Sequence, residues 1–134
     1  MTIFVDASAM IAMMAGERDA DGLADRLGAE TQRLCSALSV WETTAGLCRS
    51  YNFSVRSARD LVQSFVELND LKLVGIGERE LEIATQAYAE FGKGRHAAAL
   101  NMGDCLAYAC AKANRAKLLF TGDDFSKTDI TAAG

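Results

Sequence analysis

The sequence predicts an α/β domain, a central parallel sheet flanked by helices on both faces. Short apolar runs alternate with longer segments whose apolar residues recur at helical spacing. Each run is followed by a helix or a helix pair, the order that builds a parallel sheet with covered faces. Proline is absent, so turns fall to Gly, Asn, Asp and Ser.

Taken in order, Thr2–Val5 reads as a short buried strand. Ser8 caps a helix over Ala9–Ala15, whose Met and Ile side chains suit a core. Asp19–Leu27 reads as a second helix ended by Gly28, and Gln32–Cys35 as a second strand. Ser39–Arg49 and Ser54–Asn69 read as helices. In the latter, Val55, Ala58, Leu61, Val62, Phe65 and Leu68 share one face. Leu71–Ile76 is a third strand. Glu78–Phe91 is a helix with Leu81, Ile83, Ala84, Ala87 and Tyr88 on its apolar face. Phe91–Leu100 is a basic, Gly-containing loop, Asn101–Asn114 a helix and Lys117–Phe120 the last strand.

The 134 residues fit one domain that can bury an ordinary core. No stretch approaches the roughly 18 apolar residues of a membrane span. The N-terminus lacks the basic region of a secretory signal, and Asp6 interrupts its apolar run. A cytoplasmic protein is expected. Cys35, Cys48, Cys105 and Cys110 form no CxxC pair, and the lone His96 completes no zinc pattern. They read as buried thiols in a reducing compartment. A net charge of −4 and a pI near 4.9 argue against broad gripping of a polyanion. They leave room for a nuclease whose acidic site is neutralised by cations.

Four separated carboxylates stand where elements begin or end. Asp6 closes Ile3-Phe4-Val5, Glu42 lies early in the third helix, Asp104 early in the last, and Asp123 just past the final strand. In open parallel sheets ligands bind beyond the carboxyl ends of the strands, near a switch in strand order. Mutually repelling carboxylates gathered there suit a hard cation such as Mg²⁺ and metal-assisted phosphodiester chemistry. Each also has a local explanation. Asp6 can cap a helix, and Ser39-Val40-Trp41-Glu42 fits a capping box. Asp104 suits a helix start, and Asp123 and Asp124 suit a turn beside Gly122. Trp41 and Tyr108 are able to stack bases, but their apolar helical positions favour core packing.

The motifs resemble a known family. Ile3-Phe4-Val5-Asp6-Ala7-Ser8-Ala9 resembles the opening of PIN-domain ribonucleases, particularly VapC-type toxins. Phe91-Gly92-Lys93-Gly94-Arg95-His96 resembles a loop of one VapC subgroup. Leu100-Asn101-Met102-Gly103-Asp104-Cys105-Leu106-Ala107-Tyr108-Ala109 resembles its third acidic motif, and Leu118-Leu119-Phe120-Thr121-Gly122-Asp123-Asp124-Phe125 its closing motif. Ala97 departs from the subgroup's usual proline after the histidine.

The resemblance implies a single PIN-like domain over residues 1–134 and an endoribonuclease needing Mg²⁺ or Mn²⁺. It implies a toxin restrained by a VapB-type antitoxin, and a homodimer. It carries Asp6, Glu42, Asp104 and Asp123 over as the acidic site. Asp6 and Asp104 are expected as direct metal ligands, with Glu42 and Asp123 completing the shell, holding a second ion or orienting the attacking water. Asp124 competes with Asp123 for the fourth place. Ser8 and Thr121 match small polar positions that orient carboxylates or water. Lys93, Arg95 and His96 become candidates for RNA or antitoxin contact.

With one histidine, a two-histidine acid–base mechanism cannot be assembled within the chain. A dehalogenase-type phosphohydrolase wants a second Asp two positions after the first, where Ser8 stands. A receiver domain wants an acidic pair after the first strand, which is also missing. The remaining alternative is an inactive PIN-like module that only binds a partner.

Overall fold

The computed structural model describes residues 1–122 and 125–132. Asp123 and Asp124 lie outside the described residues. The elements run β1 (Thr2–Val5), α1 (Ala7–Ala15), α2 (Ala20–Gly28), β2 (Gln32–Cys35), α3 (Ala37–Tyr51), α4 (Val55–Leu68), β3 (Leu71–Leu73), α5 (Glu78–Phe91), α6 (Met102–Ala113) and β4 (Lys117–Leu119). A 3-10 turn covers Phe125–Lys127. The strands form one parallel sheet in the order β3-β2-β1-β4. The predicted α/β class and both-face coverage therefore hold.

Alternation along the central strand sets the two layers. Ile3 and Val5 join Met10, Leu23, Leu27 and Leu119 on one face. Phe4 joins Leu34, Leu100, Ala109 and Leu118 on the other, under α5 and α6. Ile3, Phe4 and Val5 of β1 are fully buried, so the end of this strand is a rigid point from which to present Asp6. A third cluster of Leu47, Ala58 and Val62 locks α3 to α4.

Several expectations are corrected. Helix α1 starts at Ala7, and its N-cap is Asp6, not Ser8. Helix α3 starts at Ala37, two residues before the expected start, because Ser36 caps it. The third strand stops at Leu73. Trp41 is 67% exposed, not core. On α4 only Ala58 and Val62 are buried, while Val55, Leu61 and Leu68 are exposed; on α5, Leu81 and Tyr88 are exposed. The helices thus carry wider apolar surfaces than the core consumes. Cys35, Cys105 and Cys110 are buried and Cys48 half-buried, all free, as expected. Among the described residues, no helix is long and apolar enough to cross a membrane.

Candidate active site at the β1–β4 edge

The chain leaves β1 toward β2 on one side and returns at β4 on the other, so the order switches at β1. Ligand crevices form at such switches. Asp6 sits at the carboxyl end of β1, only 5% exposed. Its N–H donates to the Leu119 carbonyl at 3.0 Å, fixing it against the end of β4. Its Oδ2 accepts the Ser8 N–H at 3.1 Å and the Ser8 hydroxyl at 2.6 Å. The Ser8 Oγ in turn accepts the Thr121 N–H at 3.1 Å. Ser8 thereby ties the Asp6 carboxylate to the segment leading into positions 123 and 124.

Glu42 comes from α3, which starts at the carboxyl end of β2. The reciprocal cap here is Ser36 with Ser39: each N–H donates to the other's hydroxyl, at 2.8 and 3.0 Å. The capping-box reading of Glu42 is therefore wrong. Placed one turn further along, Glu42 is half-buried. Its carboxyl is pushed up to about 7, first by burial and then by the negative charges of Asp6 and Asp104. That mutual effect brings the three carboxylates into one electrostatic neighbourhood.

Asp104 occupies the third position of α6. The Asp104 N–H donates to Asn101 Oδ1 at 2.9 Å, and the Asn101 N–H donates to Asp104 Oδ2 at 3.1 Å. The local cap and the placement at the edge are both real for this residue. The N-terminal end of α6 favours the negative charge. Among the described residues, no three His, Cys, Asp or Glu side chains close into a preformed metal cage. The donor chemistry still suits a hard divalent cation: carboxylate oxygens from three elements, held in each other's field, with no thiol or imidazole among them.

The basic loop feeds directly into this helix. The Lys93 N–H donates to Leu100 and the Leu100 N–H to Phe91, at 3.0 and 2.9 Å, closing the loop at its base. Arg95 lies over the Tyr88 ring at 5.2 Å. His96 packs edge-on against Phe91, and its Nδ1 accepts the Ala98 N–H at 3.0 Å. Lys93, Arg95 and His96 are all exposed.

Residues 3–130 match the PIN domain family model. The chain is 37% identical over 126 residues to ribonuclease VapC30 of Mycobacterium tuberculosis, covering 94% of each chain. The chain belongs to the VapC family of PIN-domain ribonucleases. A VapC ribonuclease of Rhizobium meliloti is 36% identical over 95% of this chain and 98% of its own. In fold, this VapC-family chain is similar to the solved structure of M. tuberculosis VapC20, a sarcin-ricin loop cleaving toxin, at a TM-score of 0.73 and 20% identity. That match covers 96% of both chains. It is similar in fold, too, to VapBC2 of Rickettsia felis bound to a promoter DNA fragment, at a TM-score of 0.73 and 13% identity, covering 98% of this chain and 96% of that one.

Sequence reasoning missed two parts of this VapC-family site. Ser36 was legible, as a Ser three residues before another Ser at a strand end. Gly103 was legible as a glycine in the first turn of a helix, a position that usually has a packing reason; here a Cβ would run into the Glu42 carboxylate.

Proposed function

We propose that this chain is the toxin of a type II toxin–antitoxin pair, a Mg²⁺-dependent endoribonuclease acting in the cytoplasm on RNA phosphodiester bonds. The observation that carries the reading is the shared field of Asp6, Glu42 and Asp104 at the β1–β4 switch, in a chain of the VapC ribonuclease family. Asp123, with Asp124 as its rival, supplies the fourth carboxylate, and the single PIN domain spans residues 1–134.

Asp6 and Asp104 would hold the metal, with Glu42 and the fourth carboxylate completing the shell or orienting the attacking water. When bound, Mg²⁺ (or Mn²⁺) supplies charge on the phosphoryl oxygen and a water of lowered pKa. Ser8 fixes the rotamer of Asp6 through its hydroxyl, and the Asn101 cap fixes Asp104. Glu42, raised to about 7, can pass between holding a proton and holding a cation near neutrality. Lys93, Arg95 and His96 would meet the RNA backbone or the antitoxin from the loop before α6.

The partners are a VapB-type antitoxin and a second copy of the chain. Two exposed apolar surfaces are available to them: Trp41 and Val55 on α3 and α4, and Leu81, Tyr88 and Met102 on α5 and α6.

The deciding experiment is cleavage of a cellular RNA pool, followed by mapping of the new 5′ ends. Cutting that stops in EDTA, returns with Mg²⁺ and is absent from Asp104→Asn supports the nuclease. Antitoxin binding with no metal-dependent cutting supports the inactive partner-binding module instead.

A further inference from the structure

Gly103 is the second residue of α6 and has no positive φ, so the backbone does not call for glycine there. Glycine in a helix is disfavoured relative to alanine. What calls for it is a neighbour from another helix. A Cβ at position 103 would stand 2.0 Å from Glu42 Oε2, 2.9 Å from its Cδ and 3.1 Å from its Oε1. Its three nearest obstacles are thus the atoms of one carboxylate at the tip of a flexible side chain. The fold can absorb a methyl group; the place of Glu42 cannot.

We propose that Gly103 is a positioning residue: its missing side chain is the slot in which the Glu42 carboxylate rests against the first turn of α6, beside Asp104. The consequence for function rests on the reading of Glu42 as part of a metal site. Glu42 reaches this slot from α3, which packs against α6. The glycine Cα–H that a side chain would replace points at the carboxylate, a contact of the weak C–H···O kind. Filling the slot leaves Asp6 with Ser8, and Asp104 with Asn101, but evicts the third carboxylate. Loss of such support around a metal ligand weakens metal binding by about 10–100-fold.

The test compares wild type, Gly103→Ala, Glu42→Asp and the double variant. Three quantities are read: Mn²⁺ affinity from the electron paramagnetic resonance of the free ion, thermal unfolding, and metal-free crystal structures of wild type and Gly103→Ala. The expected results are a Glu42 carboxylate displaced in Gly103→Ala over an unmoved α6, Mn²⁺ affinity lowered by about 10–100-fold, and an unfolding temperature that does not fall. The Asp side chain of Glu42→Asp is too short to fill the slot. In that background Gly103→Ala is expected to add no more than about a twofold loss. An unmoved Glu42, an affinity within about twofold of wild type, or an equal loss in both backgrounds would overturn the proposal. If wild type binds no Mn²⁺, the metal reading fails by itself. The metal-free structures still decide the slot, a displaced Glu42 supporting it and an unmoved one overturning it.

Discussion

Replacing Glu42 with Gln is expected to stabilise the metal-free protein at pH 8 and to leave it unchanged near pH 4. Burial, Asp6 and Asp104 raise the Glu42 carboxyl from an ordinary 4.5 to about 7. Between those values the folded protein keeps a proton that the unfolded chain has released. Stability therefore falls as pH rises from about 4.5 to about 7, and the whole cost is present above 7. A shift of this size corresponds to about 3 kcal/mol without screening. Because the side chain is only half-buried, solvent reduces this to about 1–2 kcal/mol. For a chain of this length that is a gain of about 3–8 °C in Tm. Gln keeps the shape of the side chain and removes its charge. Thermal unfolding of both proteins in EDTA, followed by circular dichroism from pH 4 to pH 8, measures the gap. A gap that does not widen with pH, or a variant less stable than wild type at pH 8, would refute the placement of Glu42 in the field of Asp6 and Asp104. Adding Mg²⁺ at pH 8 should narrow or reverse the gap, because the cation favours the charged carboxylate.

Asp6→Asn and Asp6→Ala should both abolish RNA cleavage but part in stability. Asn keeps an acceptor for the Ser8 N–H and holds Tm at or above the wild-type value, whereas Ala loses the cap and about 1 kcal/mol, read by thermal unfolding. Tyr108→Phe removes the hydroxyl that donates to Asp129 and leaves the Lys112–Asp129 ion pair alone at the surface. It should cost about 1 kcal/mol and speed limited proteolysis after Phe125, while cleavage of RNA persists. Trp41, the single tryptophan, is exposed. Its fluorescence should be readily quenched by acrylamide in the free protein, and protection on adding the antitoxin would place that partner on the α3–α4 surface. A Trp41 shielded in the monomer would refute its exposure.

The sheet was legible because buried strands and amphipathic helices have distinct apolar patterns, and Glu78–Phe91 and Gln32–Cys35 fall where those patterns put them. The starts of α1 and α3 were not. Asp6 and Ser8, like Ser36 and Ser39, are both competent caps, and spacing alone does not choose between two candidates in one turn. Choosing Ser39 created a false box with Glu42 and hid the carboxylate's freedom to face the site. Helical periodicity also failed to divide apolar surface between core and exterior. Trp41 and Leu81 lie on apolar faces by period, yet the small sheet leaves them uncovered.

Capping and chemistry looked like competing explanations of each acidic residue when the sequence was read one position at a time. The fold removes the competition for Asp6 and Asp104. In a parallel sheet the following helices start at the edge where the strands end, so cap positions and site positions coincide. Asp6 caps α1 at the end of β1, and Asp104 closes the cap of α6 at the same edge. The N–H groups and dipoles of those helix starts also offset part of the repulsion between the gathered carboxylates before any cation arrives. Glu42 stands past the cap of its own helix, and burial with the charges of Asp6 and Asp104 raises its carboxyl to about 7. Position sorts the three: two carboxylates stand at helix N-termini, and the third, one turn further along its helix, is held in a slot made by a glycine.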